Sequence, residues 1–434
     1  MSAERFEVAI VGAGLSGTAA ALTLARAGVE VLVIERGDYP GAKNLFGGIL
    51  YSGVLAELLP EFWQQAPVER HIVNRRWITL NEESQVALDL KSAAFDTPPY
   101  NNTFTALRSK FDRWFAEQAE AAGAFIVNET TADELILDNG RVIGVRTGRE
   151  DGDVLADCVI LAEGANALIS EAAGLRKPMS PTNRVNAVKE VLALPPEIIE
   201  DRFHLVGNQG AAFEYFGGAV MGMVGSAFIY TNRDSISVGV GCLIEDLLAS
   251  KIPPYELLDH FKAHPAVAPL LRGGETVEYA TKMIPEDSYN DLSDLYADGV
   301  MLVGDCAGLV NPSIHHEGTN LAMASGVFAA EAFLEARAKK DFSRAALASY
   351  RRRLDESWVM KDLAHYRDAV HFLRTNREFV DDYQRLTVEL VRDYFTIDDT
   401  PKAEVRKRLV RKVREEVAFL RLARQMWRAR KTLV

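Results

Sequence analysis

Residues Phe6 to Glu35 read FEVAIVGAGLSGTAAALTLARAGVEVLVIE, and this stretch decides the fold. Val8, Ile10 and Val11 lie in a short apolar run of the kind that forms a buried parallel strand, and the run breaks at Gly12-Ala13-Gly14-Leu15-Ser16-Gly17 into an alanine-rich helix. Gly12 permits the tight turn, Gly14 lets the backbone approach a pyrophosphate, and Gly17 lets the helix sit close on the sheet. A diphosphate then lies against the helix N-terminus. The helix ends at Gly28, a second apolar run follows from Val29 to Ile34, and Glu35 closes it with a carboxylate able to accept hydrogen bonds from an adenosine ribose.

A second turn of the same character lies some 270 residues further on, far from the first. Gly299-Val-Met-Leu-Val-Gly-Asp-Cys-Ala-Gly308 reads as a buried strand ending at Gly304-Asp305, and Gly318-Thr319-Asn320 opens a helix through Gly326. Asp305 at a strand end suits polyol hydroxyls, and the N–H groups at the start of the Gly318 helix suit negative charge on a reduced ring. NAD needs only the first turn. A ligand long enough to need both is FAD, so the pair of sites selects that cofactor.

Between these turns, Arg36 to Gly48 forms a polar, glycine-containing loop that ends in Gly47-Gly48 and is suited to close approach of a ligand. Ala106 to Gly123 is an amphipathic helix with Phe111, Trp114, Phe115 and Ala119 on its apolar side and Arg108 near its start. Phe125–Val127 and Val142–Thr147 read as strands around the turn Asp138-Asn139-Gly140. Val154 to Ala162 is a further buried strand, broken at Ala162-Glu163-Gly164 before a helix near Ala167, so its end points back toward the nucleotide.

From Asn186 to about Ile284 the period changes to two, which predicts an antiparallel sheet, with helices over Pro196–Phe203 and Pro254–Ala263. Phe213–Tyr230 and Ser235–Cys242 flank a hairpin turn at Asn232-Arg233-Asp234, and Met221 and Met223 fit either sheet core or a yielding wall for an apolar ligand. The expected fold is α/β: a two-dinucleotide-binding FAD domain (1–183 and 285–335), an antiparallel-sheet substrate or quinone domain (184–284) and a C-terminal helical region (336–434).

The chain has 434 residues and a net charge of −12, which argues against general affinity for nucleic acid. That charge is segregated. Pro401 to Val434 holds twelve Lys or Arg and three Glu, a net of +9, so the first 400 residues carry −21. Val405, Leu409, Val413, Val417, Leu420 and Trp427 form one rough stripe in this basic tail, which suits an anionic membrane surface, an acidic partner or a core-facing helix. The three cysteines, Cys158, Cys242 and Cys306, form no CxxC and cannot make a four-cysteine cluster site. The N-terminal apolar run has no cationic region before it and no cleavage site after it, so a cytoplasmic chain is expected, and no stretch reads as a membrane span. No metal site is expected either: His315-His316-Glu317 are adjacent in a loop and lack ligand spacing. Those histidines are candidates for hydrogen-bonding a substrate or relaying its proton, or are loop histidines with local partners.

With the GAGLSG turn, Glu35, the glycine-pair loop, Arg108, the AEGAN turn, Lys189-Glu190 followed by LPPEIIEDRF, and GDCAGLVNP with GTNLAMASG all in order, the sequence resembles the FixC proteins. These lie among flavoproteins that include electron-transfer-flavoprotein:quinone oxidoreductase and the geranylgeranyl reductases. The resemblance runs from about Phe6 to the final helices. It implies that FAD is held by Gly12, Ala13, Gly14, Ser16, Gly17, Glu35, Arg36, Asn44, Gly47, Gly48, Arg108, Ala132, Ala162, Glu163, Gly164, Gly304, Asp305, Gly318, Thr319 and Asn320. It also implies a FixABCX assembly, a setting of nitrogen fixation, in which an electron-transfer flavoprotein oxidises NADH and bifurcates its electrons. One branch passes through this chain to quinone. The quinone oxidoreductases resembled carry an iron-sulfur cluster, and this chain has no cysteine after Cys306, so a ferredoxin-like subunit is expected as partner. Such a chain is expected on the inner face of the cell membrane as a peripheral protein. A prenyl reductase and an NAD(P)H-dependent aromatic hydroxylase are the alternatives.

Overall fold

The computed structural model describes residues 4–44, 48–286, 289–290, 292, 294–313 and 316–433. Chain contacts divide it into two compact units: Met1–Glu69 with Asn102–Ser180 and Met283–Arg367, and Arg70–Asn101 with Pro181–Lys282 and Asp368–Val434.

The first unit is built on a parallel sheet whose strands run in the order Phe125–Val127, Val31–Ile34, Glu4–Val11, Val154–Leu161, Val300–Leu302, with Tyr296–Ala297 antiparallel at the edge. Val8 is central, opposite Val31 on one side and Cys158 on the other. The chain leaves the Glu4–Val11 strand to one side first and reaches the other side later. The strand order therefore reverses at the carboxyl end of that strand, where open α/β sheets bind ligands. The central strands are buried on both faces, as a sheet covered by helices requires. Leu15–Arg26 and Thr319–Lys339 pack against each other so closely that a Cβ at Gly326 would lie 2.1 Å from the Ser16 carbonyl oxygen. The second of these helices runs 21 residues, well past Gly326, where the sequence reading placed its end.

The expected hairpin forms at Asp138-Asn139-Gly140, with both turn residues at positive φ (49° and 83°) and Asp138 opposite Arg141. Its first strand, however, is Ala132–Asp138, and Phe125–Val127 is instead the edge of the parallel sheet. Ala132–Asp138 (ADELILD) is half-exposed and acidic, so it carries little of the apolar alternation that marks a strand.

In the second unit the strand order is Glu275–Pro285, Arg184–Ala193, Ser235–Leu243, Gly225–Thr231, Gln209–Gly217, Val68–Leu80, with Gln85–Lys91 paired to the last. The Phe213–Tyr230 run splits into two antiparallel strands because Gly217 at φ 68° and a short 3-10 turn, Gly218–Val220, reverse the chain. Val68–Leu80 pairs in parallel with Gln209–Gly217, which draws residues 70–101 into this unit. Residues 336–367 fall in the first unit, beside the expected ranges that set 336–434 apart. One face of the sheet carries a core of Val188, Phe213, Tyr215, Ile229 and Val240 packed with Phe203 and Phe261. These last two come from the helices Pro196–Phe203 and Pro254–Ala263, each opened by a proline at its first turn, as expected. Arg70 is buried and donates to the carbonyls of Gly207, Asn232 and Arg233, at 2.6, 2.7 and 3.1 Å. It thereby ties two strand connections together.

Candidate functional site

The site grows from the turn after Glu4–Val11. Gly12 has φ 102°, and a Cβ there would meet the Ala162 carbonyl oxygen at 2.5 Å. At Gly17 a Cβ would meet the Gly12 carbonyl oxygen at 2.0 Å. The protein itself demands both glycines. Gly14 differs: its φ is an ordinary −77°, and a Cβ there meets nothing within 4 Å. Nothing in the protein calls for glycine at that position, and space lies open beside it. It is also the N-cap of Leu15–Arg26 and caps nothing with a side chain, so the first-turn N–H groups face the same space without intrahelical partners. An open cradle backed by oriented N–H donors fits a diphosphate.

Glu35 is nine-tenths buried, and each of its carboxylate oxygens accepts a backbone hydrogen bond: Oε2 from Ala13 N at 2.9 Å and Oε1 from Gly37 N at 2.7 Å. Its backbone is fixed as well, with its N–H donating to Val127 O and its carbonyl accepting from Thr130 N. The carboxylate therefore clasps the glycine turn to the end of the second strand and keeps lone pairs for a hydroxyl donor.

The two glycine turns, far apart in sequence, abut in space. A Cβ at Gly304 would lie 2.7 Å from Ser16 Oγ. Gly304 N donates to Ser325 Oγ at 2.9 Å, and Arg176 donates to the Asp305 carbonyl oxygen at 3.1 Å. Arg176 also contacts the Met179 sulfur and Ser325 also donates to the Ala322 carbonyl oxygen at 2.8 Å, side-chain bonds that leave no motif in the sequence. Ala162 is buried beside Gly12, and Gly164 has φ 73°. Glu163 has both oxygens committed to the backbone, accepting from Ile169 N at 2.7 Å and Ser170 N at 3.0 Å. That caps the short helix Leu168–Ala172.

Thr319 and Asn320 also face inward to protein. Thr319 Oγ1 accepts from Tyr51 N at 3.1 Å and Asn320 Oδ1 from Val54 N at 2.9 Å, holding the Gly48–Tyr51 strand and the turn after it. Gly318 is the N-cap of their helix, without a side-chain cap. Arg108 makes a bidentate pair with Asp112 (Nε to Oδ1 at 2.6 Å, Nη2 to Oδ2 at 2.8 Å), and Asn44 reaches the same carboxylate at 3.4 Å. A Cβ at Gly41 would strike the Arg108 carbonyl oxygen at 2.6 Å, so the 36–44 loop rests on the start of this helix. Arg36 is exposed, and Ala132 opens its hairpin strand. Gly47 and His315 lie outside the described residues. His316 is exposed and has φ 46°, with its N–H donating to Ser313 O.

The thiols are chemically quiet. Burial pushes Cys158 and Cys306 up to about 12, and Cys306 Sγ donates to the carbonyls of Leu161 and Val303. Cys242 is likewise buried and raised. Among the described residues no group of His, Cys, Asp and Glu is placed to hold a metal. The arrangement is a cradle suited to holding and orienting a nucleotide.

Residues 7–97 match the FAD-dependent oxidoreductase family, and residues 369–433 match the ETF-QO/FixC family C-terminal domain. The chain is 44% identical over 410 residues to protein FixC of Bradyrhizobium diazoefficiens, covering 94% of each chain. It is 42% identical over 433 residues to protein FixC of Azotobacter vinelandii, covering 98% of this chain and 99% of the relative. With protein FixC of Escherichia coli K12 it shares 42% over 424 residues, covering 97% of each. Among solved structures, a geranylgeranyl bacteriochlorophyll reductase-like protein from Thermoplasma acidophilum superposes with a TM-score of 0.74 at 23% identity, covering 96% of this chain and 97% of that one. The flavin-dependent brominase Bmp2 superposes with a TM-score of 0.64 at 16% identity, over 95% of this chain and all of that one. At these identities the two structures speak to fold.

Proposed function

The chain belongs to the FixC family of FAD-dependent oxidoreductases, and from that premise we propose that it passes electrons from an electron-transfer flavoprotein to quinone, as the quinone-reducing subunit of a bifurcating FixABCX assembly. The match of residues 369–433 to a C-terminal domain shared by FixC and the ETF-quinone oxidoreductases carries this reading. Bound FAD supplies the chemistry, since a flavin accepts and releases electrons singly or in pairs. The protein supplies position. The Gly12–Gly17 turn and the first turn of Leu15–Arg26 hold the diphosphate, Glu35 holds the adenosine ribose, and Gly304-Asp305 holds the ribityl chain. The start of the Thr319–Lys339 helix directs N–H groups toward the flavin. Arg108, Glu163, Thr319 and Asn320 serve this site chiefly by fixing the loops around it.

The three cysteines are buried one by one and protonated, so the chain cannot ligate a four-thiolate cluster of its own. A separate ferredoxin-like subunit fills that place in the proposal. The electron-transfer flavoprotein is the donor, and the chain sits peripherally on the cytoplasmic face of the membrane. No described helix is long and apolar enough to cross a membrane. Purification from native cells tests the reading. The flavoprotein pair and an iron-sulfur subunit should copurify with the FAD-loaded chain, and the isolated chain should not oxidise NADPH; rapid NADPH oxidation by the chain alone would replace this reading with a hydroxylase.

A further inference from the structure

The C-terminal helices Asp382–Phe395, Lys402–Glu416 and Phe419–Thr432 enclose an apolar groove of about 550 Å³ that the nucleotide site does not use. Leu390, Tyr394, Leu409, Val410, Val413 and Phe419 line it. That volume lies within the roughly 300–1,000 Å³ of small-molecule sites. The lip of the groove is itself apolar and open to solvent. Tyr394, Phe395 and Phe419 are 62%, 70% and 56% exposed, and Ile397 and Leu420, close to them in the chain, are 83% and 91% exposed. An apolar surface left this open marks an interaction site.

Charge decides what covers it. Twelve Lys or Arg lie in the last 34 residues. Arg408, Lys412 and Arg421 have carboxylate partners, in Asp398, Glu389 and Glu378. Among the described residues the other nine have none within ion-pair distance. A second copy docked tail to tail would set +9 against +9, whereas an anionic lipid surface offers phosphates at every point. Trp427 is exposed, lies between Arg424 and Arg428 and has the Lys431 ammonium 4.0 Å above its ring. Aromatic rings among long cationic side chains, with apolar stems inward and charges outward, are the pattern of helices that lie in a membrane interface. Phe419–Thr432 has 14 residues, too few to span a bilayer of about 20.

We propose that these helices form a lipid-docking surface for an anionic bilayer, in which the groove takes an acyl chain and the free Lys and Arg bind phosphate headgroups. The inference rests on the reading that the chain works at a membrane, and it names the segment and the lipid chemistry. The test uses the FAD-loaded full chain in flotation with vesicles of phosphatidylglycerol and phosphatidylcholine or of phosphatidylcholine alone. Binding should be at least tenfold stronger with phosphatidylglycerol and should fall with added salt. Val410→Asp combined with Phe419→Asp should abolish it, and Arg424→Gln with Arg428→Gln should weaken it severalfold. Brominated acyl chains should quench tryptophan fluorescence more in the wild type than in a Trp427→Phe variant, a readout that a folding defect does not imitate. Two results would overturn the inference: vesicle binding unchanged by the Asp variants, or a lipid-free oligomer that those variants dissociate, which would assign the surface to a second copy. Reduction of a short-chain, water-soluble quinone, driven by reduced electron-transfer flavoprotein with the ferredoxin-like subunit present, separates this from the functional reading: variants that lose vesicles and keep that activity support both, and a wild type that binds vesicles without reducing any quinone in that complete system overturns the functional reading alone.

Discussion

A side chain at Gly12 collides with the Ala162 carbonyl and one at Gly17 with the Gly12 carbonyl, whereas one at Gly14 meets no protein atom within 4 Å. The three glycines therefore give separable predictions. Gly14→Val should cost less than about 1 kcal/mol of stability, the scale of an N-cap change, and yet abolish FAD binding by filling the diphosphate space. Gly17→Val should cost at least about 1–3 kcal/mol through overpacking, with or without cofactor. Urea unfolding of the apoprotein beside FAD titration distinguishes the two; equal loss of stability would contradict the assignment. Glu35 carries two tasks. Glu35→Gln should lose about 1–3 kcal/mol of apoprotein stability, since its charged oxygens accept the Ala13 and Gly37 N–H groups, and should weaken FAD as well. Asp305→Ala should weaken FAD by a similar amount, read by equilibrium titration of the apoprotein. At this scale the steric need for Gly12 and Gly17 and the place of Glu35 at the end of the second strand were legible, because sterics and motif spacing dictate them. The clasp roles of Glu163, Thr319 and Asn320 were not, because side-chain bonds to distant backbone leave no periodicity.

Elements were legible where burial imposes a period. The two proline-started helices of the second unit and the Asp138-Asn139-Gly140 turn lie where the sequence places them. The Ala132–Asp138 strand is not legible because its face is acidic, and the C-terminal apolar stripe spans two helices that Val417, in extended backbone, separates. An ion pair joins the short helix Arg377–Val380 to the helix Ile244–Ser250, which follows a strand of the second unit's sheet: Arg377 donates to both oxygens of Asp246 at 2.6 Å, and Val224 N donates to the same carboxylate at 2.7 Å. Burial works against the Asp246 charge, but the Arg377 guanidinium and the Val224 N–H outweigh it and hold its pKa below the usual carboxylate range. Because the folded value is depressed, the stabilisation is fully present above the unfolded pKa of about 4 and is lost as pH falls through the folded one. Asp246→Asn should cost about 1–2 kcal/mol at pH 7, a value held down by the 43% exposed guanidinium. The difference from wild type in urea unfolding should shrink steadily below pH 4; a constant difference down to pH 2 would contradict the pair's role.

Over the whole molecule, charge and cysteine usage were read directly from composition, and they support the proposed partners: a basic tail on an acidic chain, and three separate thiols. The placement of residues 70–101 was not legible, since a parallel pairing across more than 130 residues leaves no local mark. The tail is also part of the fold. Gln425 is buried and bonded to Asn376 and Tyr383, so deleting everything after Thr400 would open the helices it packs on, and surface substitutions test its role more cleanly. The central claim is that this chain delivers electrons to quinone only with an iron-sulfur partner. The measurement is anaerobic quinone reduction by the FAD-loaded chain, driven by reduced electron-transfer flavoprotein, with and without the ferredoxin-like subunit. The account predicts turnover at least tenfold faster with the subunit present; equally rapid turnover by the isolated chain would contradict it.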